Sequence, residues 1–206
     1  MIINNTGLSE LGKVGHPEID SVTFERGKPC FVDNSDKYRA GEMCQVLNDH
    51  WGRAKNDCNY KSVKELIENL LDCRKCNCNF LLNTGLKGNG SVNSMDACIL
   101  KEIGKWVKAN KEFIYEAKAC DIKAKNADIL QGKSCYYAVV KNVPMSADPI
   151  VQRAECEGQV CIEMEIERAE WLDNGEEIEV ENGKFDIKPF QYGQSFSIRI
   201  AKFNKN

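Results

Sequence analysis

Residues 62–83, SVKELIENLLDCRKCNCNFLLN, constrain the fold more than any other stretch of this chain. Ser62 followed by Glu65 is a capping box: the hydroxyl accepts from the amide at the third helical position while the carboxylate reaches back to the cap. Behind it Val63, Leu66, Ile67, Leu70 and Leu71 recur at helical spacing, so one face of this helix must lie on a core. The helix then runs almost directly into NFLLN, an unbroken apolar run of strand length, which predicts a strand buried on both sides. After the loop TGLKGNGSVN a second helix is expected over about 95–110, with Ile99, Leu100, Ile103, Trp106 and Val107 as its apolar stripe. Upstream, MIINN reads as a strand closed by the turn-prone Thr6-Gly7, and SVTFE as a short strand. AGEMCQVLNDHWG has no clear period and reads as loop or short strand. Strand, loop, helix, buried strand, loop, helix is the rhythm of a parallel α/β architecture.

After about residue 118 the pattern changes. CYYAVVKNV, QVCIEMEIERAEWL, EEIEVENG, FDIKPF and FSIRIAKF alternate apolar with polar residues, and DNGE and ENGK supply turn signals between them. The expected organisation is therefore an α/β segment over 1–117 and a small antiparallel β-sandwich over 118–206.

Composition excludes several classes of function. With 42% hydrophobic and 29% charged residues the 206-residue chain can bury a real core, and its net charge of -3 offers no dense positive patch for nucleic acid. No run approaches the roughly 20 apolar residues that cross a bilayer. MIINNTGLSE has neither the basic start nor the apolar core of a signal peptide, so the expected compartment is the cytoplasm. The 11 cysteines, odd in number and irregularly spaced, fit reduced thiols better than a disulfide framework. Cys73, Cys76 and Cys78 could ligate a metal only with a fourth donor, for which Cys58 is nearest in sequence; as small buried fillers at the end of a helix they need none.

Three stretches together resemble α-L-fucosidases of glycoside hydrolase family 29. NFLLNTGLKGNGSVNSMDACILKEIGKWVKANKEFIY is similar to the family's GGNxLLNxGPxxxG loop and the helix after it, and EMCQVLNDHWG to its WExC…WGY segment. EEIEVENGKFDIKPFQYGQSFSIRIAKF is similar to the β-sandwich that closes such chains. The resemblance implies the C-terminal half of a (β/α)8 barrel followed by that sandwich. It also implies retaining hydrolysis of terminal α-L-fucosyl residues from oligosaccharides or glycoconjugates, without a cofactor or metal. In that chemistry one carboxylate attacks the anomeric carbon and a second, about 5 Å away, protonates the leaving oxygen and then activates water.

Carried over residue by residue, the resemblance places Asp57 of WGRAKND at the acid/base position and Asn5 of MIINNTGL at the nucleophile position, where the family has aspartate. An amide is a poor nucleophile; Asp20 of HPEIDSVTFE stands as its substitute. Glu42, at a position where the family keeps glutamate, and His50 and Trp51, beside the acid/base loop, are the expected substrate-binding residues. Ala40, Gly41 and Arg53 depart from the family's pattern, and the early barrel strands that carry its fucose-gripping histidines have no counterpart here. The expected partner is thus the other half of the barrel, as part of a longer chain, a separate chain or a second copy. The alternative expectation is a non-catalytic carbohydrate-binding or structural remnant of the same fold.

Overall fold

Ser62 opens the first helix as the capping pattern requires. In a computed structural model describing residues 1–5, 10–146, 158–191 and 196–205, its Oγ accepts from Glu65 N at 3.0 Å and α1 runs Val63–Lys75. Leu66, Ile67, Leu71 and Cys73 face inward, and each such leucine contributes roughly 1.5–3 kcal/mol by leaving water. The helix stops where Asn77 takes a left-handed φ of 54°. Cys78 N then donates to Cys73 O at 2.8 Å and Asn77 N to Arg74 O at 3.3 Å, a Schellman turn with asparagine in the place glycine usually takes. Cys73 and Cys78, the two positions such a turn packs together, share one buried cluster, so the turn itself accounts for CRKCNC. Cys58 is exposed, and among the described residues no three or more His, Cys, Asp or Glu side chains are placed to hold a metal ion.

The chain divides into two compact units, Met1–Gly104 and Lys105–Asn206. The first holds a parallel sheet of β1 (Ile3–Asn4), β2 (Ser21–Thr23), β3 (Ala40–Val46) and β4 (Asn79–Asn83), in that order across the sheet. β3, for which the sequence shows no period, is its longest strand: Glu42 and Gln45 mask the apolar pattern, yet both have partners, Glu42 with Asn79 Nδ2 and Gln45 with Val46 N. NFLLN does form a strand, but not one buried on both sides. β4 lies at the sheet edge and leaves Leu81 47% exposed, because no further strand among the described residues pairs with it.

Residues paired across a parallel ladder share a face. Val22, Phe24, Met43 and Phe80 therefore form the apolar face and pack with Ile19, Cys73 and Cys78. Thr23, Glu42 and Asn79, with Cys44, Leu81 and Asn83 further along, form the other face, which is largely polar. α2 (Ser94–Ala109) begins at the Asn93 side chain, which caps Asp96 N at 3.0 Å, and its Ile99, Leu100 and Ile103 pack with Leu47, Leu66 and Leu82. The divide between the units falls within this helix.

The second unit contains α3 (Lys111–Glu116) and an antiparallel six-stranded sheet. Across that sheet run Glu177–Ile178, Ile166–Trp171, Arg199–Lys205, Tyr136–Val140, Asp128–Gln131 and Lys118–Ala119. A three-stranded sheet joins Lys184–Asp186, Gln159–Ile162 and Ala124–Lys125, and Met145–Ser146 pairs with Phe190–Gln191. ENGK makes the expected tight turn: Asn182 and Gly183 both have positive φ, 51° and 72°, between the bridged Glu181 and Lys184. Trp106 is fully buried and donates from Nε1 to Ile198 O at 2.8 Å. The turn expected at Thr6-Gly7 and residues 192–195 of the last motif lie outside the described residues. No helix among the described residues is long and apolar enough to cross a membrane.

Candidate active site

In a parallel sheet the chain enters every strand at one edge and leaves at the other, so the loops after β1 to β4 gather at a common edge, the usual place for a site in α/β folds. Asn5 follows β1, Glu25 and Arg26 follow β2, residues 47–59 follow β3 and Thr84-Gly85 follow β4. Gly85 is fixed by this convergence. A Cβ there would lie 2.4 Å from Arg53 N and 2.6 Å from Gly52 C, so only glycine lets the two loops meet backbone to backbone.

The loop after β3 is built around Asp57. Its Oδ2 accepts from Asp49 N at 3.0 Å and lies 2.7 Å from His50 Nδ1, and its Oδ1 accepts from Asn59 N at 3.0 Å. The carboxyl is only 4% exposed while the His50 side chain is 58% exposed. Asn59 Nδ2 to Asp49 Oδ2 at 2.9 Å and Lys61 Nζ to Asn48 O at 3.0 Å close the loop, and an open depression of about 600 Å³ lies against it. His50 foremost, and then the Asn59 amide, hold the Asp57 carboxyl below its ordinary value of 3.8. A lone general acid needs the opposite shift. In this geometry Asp57 is the buried member of the pair and His50 the exposed one.

The lowered value has a measurable consequence. Loop stabilisation by ionised Asp57 is complete above 3.8 and is lost as pH falls through the still lower folded value. Below 3.8 the Trp51 indole N–H resonance should therefore move toward the position seen in Asp57→Asn.

Trp51 is 38% exposed, with the Arg26 guanidinium 5.3 Å from its ring centroid. Arg26 Nη2 also donates to Asp49 O at 2.7 Å and Trp51 O accepts from Asn83 Nδ2 at 2.5 Å, so the loops after β2 and β3 and the end of β4 are tied together at Trp51. Arg26 has a positive φ of 55° without being glycine, a backbone cost that recurs at functional sites.

Asn5 is not idle. Its Oδ1 accepts from Thr23 Oγ1 at 2.6 Å and its Nδ2 donates to Glu25 Oε2 at 2.8 Å, which attaches a carboxylate directly to the position that the family resemblance gives to the nucleophile. Glu42 accepts from Asn79 Nδ2 at 2.7 Å and from the Cys44 thiol at 3.4 Å. Burial first, then Glu42 and Glu25, push that thiol up to about 11, so it stays protonated. Glu25, Thr23 and Arg26 were not singled out by sequence. The available signal was alternation in SVTFE, which places Thr23 and Glu25 on one face.

Asp20 does not belong to this group. It accepts from Ile2 N at 2.7 Å and Lys37 Nζ at 3.0 Å, at the edge where β2 begins. Level with Ile2, it sits roughly 10 Å down the strand direction from Asn5 at about 3.3 Å per residue, so the fold does not bring Asp20 and Asn5 together.

Carboxylates, an imidazole and an exposed indole gathered at the C-terminal edge of a parallel sheet are the equipment of sugar-cleaving α/β enzymes. Residues 2–112, more than half of the chain, match the Alpha-L-fucosidase family, and the chain belongs to that family. It is 30% identical over 96 residues to human plasma alpha-L-fucosidase, a match covering 42% of this chain and 21% of that protein. Among solved structures, alpha-L-fucosidase isoenzyme 1 from Paenibacillus thiaminolyticus superposes with a TM-score of 0.72 at 22% identity, over 91% of this chain and 45% of that one. A Bacteroides thetaiotaomicron alpha-L-fucosidase gives 0.67 at 20% identity, over 91% and 43%. At such identities the structures establish a shared fold, and the chain spans less than half of each solved relative.

Proposed function

We propose that this chain is the C-terminal part of a retaining α-L-fucosidase that removes terminal fucosyl residues from oligosaccharides or glycoconjugates. The observation that carries this is the His50–Asp57 contact at 2.7 Å on the loop that the family resemblance assigns to the acid/base. In this reading Asp57 orients His50 and balances its charge. The exposed imidazole delivers the proton to the leaving oxygen and later takes one from water, as in other paired catalytic groups. Glu25, held by Asn5, is the carboxylate available to the anomeric carbon. Trp51 offers its free surface to the sugar, and Glu42 accepts from sugar hydroxyls.

The four parallel strands form half of an eight-stranded barrel in this proposal, with the segment after residue 117 as the closing sandwich. Support comes from the edges: Ile3 on β1 and Ile2 just before it are 50% and 49% exposed, and Leu81 on β4 is 47% exposed. An open sheet edge with apolar neighbours calls for a covering partner, here the other barrel half in the same or another chain, or a second copy. The test is an assay on an aryl α-L-fucoside, of the 206 residues alone and of the polypeptide read with any coding sequence upstream of Met1. Turnover by the longer polypeptide and none by the 206 residues is expected. Fucose binding without turnover by the longer form would instead support a non-catalytic carbohydrate-binding role, the reading that the Asn5 amide favours.

A further inference from the structure

The Schellman turn after α1 gathers three sulfurs, and the extended segment before β3 brings a fourth. Cys76 Sγ donates to Pro29 O at 3.6 Å across 47 positions of sequence, and Cys78 Sγ donates to Cys30 O at 3.5 Å. The four differ in access. Cys73 and Cys78 are 0% and 4% exposed, Cys76 is half-buried and Cys30 is exposed. All ten described cysteines are thiols. A carbonyl oxygen lies about 2.8 Å from the next Cα, so Cys76 Sγ is at most roughly 6.4 Å from Cys30 Cα, and rotation about the two Cα–Cβ bonds can turn the sulfurs toward one another. Burial first, and then the adjacent Cys30, push the Cys76 thiol up; burial first, and then Cys76 and Cys30, push the Cys78 thiol up to about 12.

We propose that Cys30 and Cys76 are a reversible thiol–disulfide pair, oxidised by exchange with a small-molecule disulfide such as oxidised glutathione. The Cys30 thiolate attacks one sulfur of that disulfide, the S–S bond breaks, and one glutathione leaves as its thiolate. Cys76 then gives its proton to solvent and attacks the Cys30 sulfur, expelling the second glutathione. Two protein thiols are oxidised to one disulfide while one glutathione disulfide is reduced to two thiols. Cys30 reacts first because it is in water. Cys76 resolves it because Cys78, the other sulfur in reach, is buried with Cys73 in the core of the turn. The bond ties the segment before β3 to the end of α1 across the apolar face of the sheet.

The experiment equilibrates the native 206-residue chain with oxidised and reduced glutathione, quenches free thiols with N-ethylmaleimide and maps the digest by mass spectrometry. The expected product is a linked pair of peptides carrying Cys30 and Cys76, two hydrogens lighter than their sum. In Cys76→Ser, Cys30 should stop as the glutathione mixed disulfide, and Cys58→Ser should leave the linked pair intact. Alkylation of both cysteines at every redox ratio overturns the proposal. So does a mixed disulfide that persists on Cys30 in the native chain, or a link from Cys30 to any cysteine other than Cys76.

Discussion

Asp173→Ala is expected to destabilise the second unit by about 3–5 kcal/mol, the usual cost of leaving one member of a buried ion pair alone. Arg199 and Asp173 side chains are 4% and 5% exposed, with Nη2 to Oδ1 at 2.8 Å and Nε to Oδ2 at 3.1 Å. The guanidinium lies 4.2 Å from the Trp171 ring centroid, and Nη2 also reaches Asn174 Oδ1 at 3.3 Å. Removing the carboxylate leaves a charge with no route to water. The pair Asp173→Leu with Arg199→Met removes both charges together and should cost far less than the single change. Urea denaturation of the two variants and the parent measures the difference.

The second large effect concerns chemistry. In the polypeptide that hydrolyses fucosides, Asp57→Asn should lower kcat/KM on a fucosyl disaccharide by about 10²–10⁴, the range for a lost acid–base group. His50→Gln should lower it to a similar degree, and the double variant should be little worse than either, because paired groups act as a unit. Asparagine can still accept one of the two amide hydrogen bonds that Asp57 holds, from Asp49 N or Asn59 N, so the loop keeps part of its frame. KM should therefore move much less than kcat.

Local signals in the sequence reached the structure where the energy is local. Ser62 with Glu65, the leucine stripe behind them and Asn182-Gly183 each specify an element through its own backbone, and each element forms. β3 was illegible because the carboxylate that interrupts it, Glu42, is satisfied by a partner distant in sequence, Asn79, across the β3–β4 ladder. NFLLN misled in the other direction, since apolarity announces a strand without saying whether a neighbour covers it, and β4 is an edge. In the candidate site, Asp57, His50 and Trp51 share a short stretch and could be read together. Glu25 could not be tied to Asn5, because only the parallel pairing of β1 with β2 brings them within a hydrogen bond.

In the proposed mechanism His50, backed by Asp57, protonates the leaving oxygen. Its most direct test compares Asp57→Asn with the parent on two fucosides, one with a strongly acidic phenol as leaving group and one with a sugar alcohol. A good leaving group departs without a proton, so kcat/KM, which reports cleavage of the bond to the leaving group, should fall little on the first and by about 10² or more on the second. Equal losses on both would contradict it.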